Sequence, residues 1–282
     1  MSRSIVELPN GAALYVETHG PQDATPIVFI HGLGATHSLW QPLLECSNIA
    51  TNFYVVLYDY RGAGLSPLYS PKTKLDDPLP KLSMQTHIDD LKDLFDKLFT
   101  RRRTTPTVQK PILVGHSMGS ILSQIFAVQF PELISRLILV NTSLAPFPPE
   151  VRETQYAWAR SVRDNGSVLD IANQLADILV AKPTANPVAR AMIRALVLAQ
   201  TVEGYASNVE ALAGWTETVD LKEKFEGPIR IVGGGADAFG DGSDLLDSLS
   251  GADAQHQSIP GVGHSSPVEN PEALGKVFLT YL

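Results

Sequence analysis

The chain has 282 residues with a hydrophobic content of 44%, and its 30 acidic residues against 22 basic ones give a net charge of −8. This describes a globular chain with a substantial core, one large α/β domain or two small ones, and excludes the extended basic surface that nucleic-acid backbones require. The single cysteine, Cys46, has no internal partner, no apolar run is long enough to span a bilayer and no apolar segment of signal-peptide type follows Met1, so a cytoplasmic protein with neither membrane nor nucleic-acid partner is expected.

In chain order, Ser4 to Leu8 and Ala13 to Thr18 flank the turn signal Pro9-Asn10-Gly11 and predict a hairpin at an antiparallel sheet edge. Ile27 to Ile30, Tyr54 to Tyr58 and Ile112 to Val114 are short, continuously apolar and rich in β-branched and aromatic residues. That is the pattern of central strands in a parallel sheet covered on both faces. Thr86 to Phe99 carries Ile88, Leu91, Leu94, Phe95 and Leu98 at helical spacing, which makes the unit β-α-β. Pro67 to Pro80 reads as a loop rich in Pro, Lys and Asp, and Arg101-Arg102-Arg103 as a solvated loop. Ser120 to Gln129 reads as helix, and Leu137 to Val140 and Ile229 to Val232 as further strands. Between those two strands the pattern turns helical, with Gln155 to Val162, Val168 to Val180, Val188 to Leu198 and Gly204 to Ala213. One crossover needs fewer helices. The extra ones are expected to cap the carboxyl ends of the strands, where open α/β sheets bind ligands, rather than to form an unrelated domain. The expected organisation is a mostly parallel α/β sheet with helices on both faces, with residues 1–144 and 216–282 as core and 145–215 as a helical cap inserted into one domain.

The strongest chemical signal is Gly115-His116-Ser117-Met118-Gly119, between a predicted strand and a predicted helix. A G-x-S-x-G turn in that context is tight enough to push the serine hydroxyl out at the end of a sheet. A neutral hydroxyl needs a positioned base, and the base needs an orienting carboxylate. His264, in the loop Pro260-Gly261-Val262-Gly263-His264, is the candidate base. Asp237, after Ile229 to Val232 and Gly233-Gly234-Gly235-Ala236, is the candidate acid, with Asp241 and Asp244 further along the loop as alternatives. Asn141 occupies the other strand end from which an acid could reach. A tetrahedral intermediate needs fixed donors for its oxyanion. The amide of Met118, at the helix start, and that of Leu33, in His31-Gly32-Leu33-Gly34, are the candidates, with His31 shaping the loop. Asp59-Tyr60-Arg61-Gly62-Ala63-Gly64-Leu65-Ser66 lacks the third glycine of a dinucleotide turn, so Asp59 and Arg61 are read as pairing to shape a loop beside the site. No zinc spacing occurs, and no metal or cofactor is implied.

The HGLG loop, DYRGAGLS, GHSMGS, GGGAD and PGVGH, taken together and in this order, resemble the α/β-hydrolase superfamily over nearly the whole chain outside the cap. The order serine, acid, histidine is the one that superfamily uses. The small cap and the stretch from Val202-Glu203-Gly204-Tyr205 to Trp215 are similar to the 3-oxoadipate enol-lactonase group; His116, the long loop Pro67 to Pro80 and the lack of a proline-rich turn after Asp237 depart from it. The resemblance implies a serine hydrolase with a Ser117-His264-Asp237 triad that cleaves a carboxylic ester or lactone of small-molecule size, without a cofactor. Carbon-carbon bond hydrolysis, a non-hydrolytic lyase or cyclase reaction, and a ligand-binding receptor of hydrolase ancestry are the alternatives. Tyr156, Trp158 and Trp215 are candidate apolar walls for the substrate, and Arg160, Arg190 or Arg194 candidate partners for a substrate carboxylate. A homo-oligomer is compatible with the sequence.

Overall fold

The computed structural model describes residues 1–70, 81–103, 109–142, 146–181 and 186–282. The hairpin strands β1 (Ser2–Glu7) and β2 (Ala13–His19) are followed by β3 (Pro26–Ile30), the short helices α1 (Gln41–Cys46) and α2 (Ile49–Asn52), and β4 (Tyr54–Tyr58). Next come α3 (Met84–Arg103), β5 (Ile112–His116), α4 (Met118–Gln129) and β6 (Arg136–Val140). Four helices follow in the insertion: α5 (Pro149–Asn165), α6 (Leu169–Ile178), α7 (Pro187–Leu198) and α8 (Val202–Ala213). The chain closes with α9 (Leu221–Lys224), β7 (Ile229–Gly234), α10 (Ser243–Ser248), β8 (Ala254–Ile259), α11 (Ser266–Glu269) and α12 (Pro271–Tyr281).

The strands form one eight-stranded sheet in the order β1-β2-β4-β3-β5-β6-β7-β8. β2 pairs antiparallel with both β1 and β4, and the pairs from β4 through β8 are parallel. Side chains alternate across a strand, so a strand covered on both faces must be apolar at every position. In β3, Val28 and Ile30 join the cluster under α3 and α4, with Ile88, Phe95 and Ile121. Ile27 and Phe29 face the other way and join Leu43 of α1 with Leu274 and Phe278 of α12. Each such buried side chain contributes roughly 1.5–3 kcal/mol relative to exposure.

Several expectations are corrected by the structure. Arg101-Arg102-Arg103 continues the backbone of α3 and is not a loop, because no helix-stopping residue precedes it. The first helix of the insertion starts earlier than its apolar spacing suggests. Pro149 opens it, and Gly166, with φ 60°, ends it in the left-handed conformation that glycine adopts without strain. Residues 71–80 of the expected loop and Ala145 at the expected cap boundary lie outside the described residues. Among the described residues no helix is long and apolar enough to cross a membrane.

Candidate active site

In this sheet order β4 lies on one side of β3 and β5 on the other. Connections leaving the carboxyl ends of these strands diverge there and open a crevice, the place where open α/β sheets bind ligands. The loop beginning at His31 leaves β3 into this crevice, and Ser117 follows β5 into it.

Ser117 adopts φ 53° and ψ −119°, a strained conformation for a residue with a side chain. Its neighbours show why the turn needs glycine. A Cβ on Gly115 would lie 2.2 Å from the Gly119 carbonyl oxygen, and one on Gly119 would lie 2.4 Å from that of Ile30. The strain is held by the Ser117 amide, which donates to Val140 O at 3.1 Å, and by the Ser117 carbonyl, which accepts from the amides of Ser120 and Ile121 at 2.8 and 3.2 Å. The backbone is fixed from both sides and the hydroxyl is left free to project.

That hydroxyl lies 2.8 Å from His264 Nε2, and His264 Nδ1 lies 2.8 Å from Asp237 Oδ2. With Nδ1–H donating to the carboxylate, Nε2 presents its lone pair to the serine O–H. The Asp237 side chain is fully buried. Burial would push its carboxyl up, but hydrogen bonds from His264, the Phe239 amide and Asn141 outweigh burial and hold it below the usual range, so it stays ionised. Of the alternatives to Asp237, Asp241 is engaged elsewhere, its Oδ1 accepting from the Ser243 amide at 3.1 Å, and Asp244 sits in the first turn of α10.

Residues that sequence reasoning left unassigned hold this constellation from behind. Asn141, at φ 47°, donates through Nδ2 to Asp237 Oδ2 at 3.0 Å and to Gly263 O at 3.1 Å, while its Oδ1 accepts from Ser266 Oγ. His116 Nε2 donates to the His264 carbonyl at 2.8 Å; full burial pushes this imidazole down to about 3, so it is neutral. Glu269 accepts from the Gly263 amide at 3.1 Å and from the Ala181 amide at 3.1 Å, tying the histidine loop to the helical insertion.

The loop after β3 is shaped by His31, whose Nδ1 donates to Gly32 O at 2.9 Å, and by Tyr60, whose hydroxyl donates to the same oxygen at 3.0 Å. Burial pushes His31 down to about 4, which leaves it neutral and unsuited to proton donation as an imidazolium. A Cβ on Gly32 would lie 2.8 Å from His116 Nδ1 and 3.1 Å from Ser117 Cβ, so only glycine lets this loop close on the serine. Among the described residues the backbone amides of Leu33 and Met118 have no acceptor. The expected Asp59–Arg61 pair does not form. Asp59 accepts from the His37 amide and ring at 2.6 and 2.9 Å, and Arg61 pairs with Asp90 at 2.6 Å.

Ser117 and His264 open into a cavity of about 300 Å³ whose walls include Leu33, Trp158, Leu175, Leu179, Leu212 and Phe239, with Thr154 and Gln155 of α5. Trp158 lines this cavity. Tyr156 and Trp215 do not; both line a separate depression with Arg163 and Glu210. Arg160 is also elsewhere, exposed and paired with Glu153 at 2.7 Å. Arg190 pairs with Asp177, and Arg194 donates to Asn173 at 2.7 Å. Among the described residues no Asp, Glu, Lys or Arg side chain borders the cavity, and no group of three or more His, Cys, Asp or Glu could hold a metal ion.

Comparison with known proteins agrees with this geometry at the level of fold. The chain resembles a thermophilic esterase from Thermogutta terrifontis, with a TM-score of 0.84 and 25% identity over 100% of this chain and 98% of that one. An enol-lactonase from Burkholderia xenovorans LB400 superposes with a TM-score of 0.79 at 24% identity, over 99% of each chain. Among curated sequences, the sn-1-specific diacylglycerol lipase ABHD11 of Danio rerio is 25% identical over 93% of this chain and 80% of its own length. The (Lyso)-N-acylphosphatidylethanolamine lipase of Mus musculus is 30% identical over 63% of this chain, and the match spans 48%, about half, of that lipase. A family model described as alpha/beta hydrolase fold matches residues 25–271, from just before β3 to the first residue of α12. By sheet order, by the strained serine after β5 and by this match, the chain belongs to the α/β-hydrolase fold family.

Proposed function

We propose that the protein is a serine hydrolase that cleaves a carboxylic ester, open-chain or lactone, of a small and largely apolar substrate. The observation that carries this reading is the continuous chain from Ser117 Oγ to His264 Nε2 and from His264 Nδ1 to Asp237 Oδ2, each link 2.8 Å long. In this reading Ser117 attacks the ester carbonyl while His264 takes its proton, and the buried Asp237 carboxylate stabilises the imidazolium that forms. The amides of Leu33 and Met118 receive the oxyanion, at no cost in reorganisation because the loop and the turn are already fixed. His264 returns the proton to the leaving oxygen. Water then attacks the acyl-enzyme with His264 again as base, releasing the acid and freeing Ser117. The cavity, about 300 Å³, has room for on the order of ten heavy atoms, and its apolar walls favour an uncharged acyl or alcohol group. Labelling with a fluorophosphonate probe tests the reading: one label on Ser117, absent from Ser117→Ala, is expected, together with a loss on the order of 10⁴ in kcat for Asp237→Asn. Failure of wild-type protein to take the label would overturn it. Analysis of products from esters, lactones and 1,3-diketones separates the alternatives: a cyclase or lyase adds no water, and carbon-carbon hydrolysis, which adds one, is told from ester hydrolysis by which substrate is cleaved and by a methyl ketone product in place of an alcohol.

A further inference from the structure

Gln155 is out of place by composition. It lies in the cavity wall on the face of α5 that also carries Val151, Thr154 and Trp158, positions spaced three and four residues apart. The other buried positions of this helix, Ala159 and Val162, are apolar, as packing alone would require. Gln155 is 6% exposed, and its Oε1 has no hydrogen-bond partner. A buried carboxamide left unpaired destabilises the fold, and leucine or methionine would fill the same space without that penalty. His116 Nδ1, the other unpaired buried polar atom bordering the cavity among the described residues, is covered by Gly32 and is not open to a ligand. The hydroxyl of Thr154 already donates to the Glu150 carbonyl of its own helix. The carboxamide of Gln155 is therefore the unspent polar group facing the substrate.

We infer that Gln155 is a specificity-determining residue, and that the preferred substrate carries, besides its ester, an uncharged hydroxyl group that docks on this carboxamide. The inference rests on the reading of Ser117 as the nucleophile of an ester hydrolase. A hydroxyl is singled out because it both donates and accepts, so it satisfies a carboxamide whichever way the amide is turned. A carboxylate or an ammonium would enter an apolar cavity with no counter-ion among its described lining residues, at a large desolvation cost. A substrate without the hydroxyl leaves the amide as unpaired as it is in the free enzyme, and a site built to hydrogen-bond a hydroxyl discriminates on that difference.

The experiment compares kcat/KM for phenyl pentanoate with that for phenyl 2-hydroxypentanoate, phenyl 3-hydroxypentanoate and the 3- and 4-hydroxyphenyl pentanoates, using wild type, Gln155→Leu and Gln155→Met. At least one hydroxylated ester is expected to exceed the parent by about tenfold in wild type, with the ratio falling towards one in both variants. Two substitutions are used so that poor folding of one leaves the other to decide. A ratio that is the same in wild type and variant, or a parent ester preferred by wild type over every hydroxylated member, overturns the inference; a water molecule resident on the amide would give this result. Fluorophosphonate labelling of the same preparations separates the two levels. Label on Ser117 with an unchanged ratio overturns the role of Gln155 alone, whereas no label overturns the hydrolase reading and the inference with it.

Discussion

Replacing Asn141 with aspartate changes one nitrogen into oxygen at the back of the candidate site. Aspartate tolerates the left-handed backbone at φ 47°, so the substitution adds little backbone strain. Two contacts of Asn141 Nδ2 change: the one to Asp237 Oδ2 at 3.0 Å becomes a contact between two carboxyl groups, and the one to Gly263 O at 3.1 Å loses its donor. Asn141 is 1% exposed and the Asp237 side chain is fully buried, so solvent screens neither group. Two carboxylates sharing a site raise the pKa of one of them by roughly 1–3 units, a penalty of about 1.4–4 kcal/mol where both would otherwise be ionised. A raised folded-state value means that the cost is absent while the extra carboxyl is protonated in both folded and unfolded chains. It grows as pH rises through the unfolded value near ~4 and is complete above the folded value. Denaturant unfolding of Asn141→Asp and wild type at pH 3 and 7.5 should therefore show a stability gap that widens by about that amount at the higher pH. A gap of equal size at both values would refute the claim that Asn141 donates to an ionised Asp237.

Three further outcomes are expected. Burial pushes the Glu17 carboxyl up, but hydrogen bonds from Arg3, His19 and Gln41 outweigh it and hold the group at about 2, below its ordinary 4.5. Stability from this depressed group is present above 4.5 and lost as pH falls towards 2, so Glu17→Gln should cost about 1.5–3 kcal/mol at neutral pH, with the deficit closing in an acid titration followed by circular dichroism. Gly119→Ala, whose Cβ would meet the carbonyl oxygens of Ile30 and His31 at 2.4 and 2.6 Å, should cost about 3 kcal/mol or more and remove ester turnover although Ser117 is intact; thermal melts and assays read both. Trp158→Ala opens the cavity wall, and a series of esters of increasing acyl length should show the preferred length moving upward, with kcat/KM for the shortest esters falling by about tenfold or more.

The central strands were legible because both faces of the sheet are covered. Val28 and Ile30 meet one set of helices while Ile27 and Phe29 meet the other, so the sequence runs apolar without interruption. The serine turn was legible because its glycines are required by backbone contact, not by packing preference. Pairing was less so. Asp59 and Arg61 are near neighbours in the loop after β4, yet their partners His37 and Asp90 lie 22 and 29 residues away, a separation that local spacing does not encode. Among the cap residues, Tyr156 and Arg160 each sit two positions from Trp158, and residues two apart on a helix face different ways. The helical face through Val151, Thr154, Gln155 and Trp158 could have been read from that periodicity, which would have brought Gln155 forward and set Tyr156 and Arg160 aside. Asn141 was noticed only as the absence of an acid; its hydrogen bonds to Asp237 and Gly263 depend on the meeting of three strand ends.

The most direct test of Ser117 as nucleophile is to mix the protein with an activated ester such as p-nitrophenyl acetate, quench it in acid within the first turnover, and map the acyl mass on proteolytic peptides. One acetyl group on the peptide containing Ser117, in wild type and not in Ser117→Ala, together with abolished turnover in that variant, is the expected result. Turnover that persists in folded Ser117→Ala, or an acetyl group carried on a different residue, would contradict it.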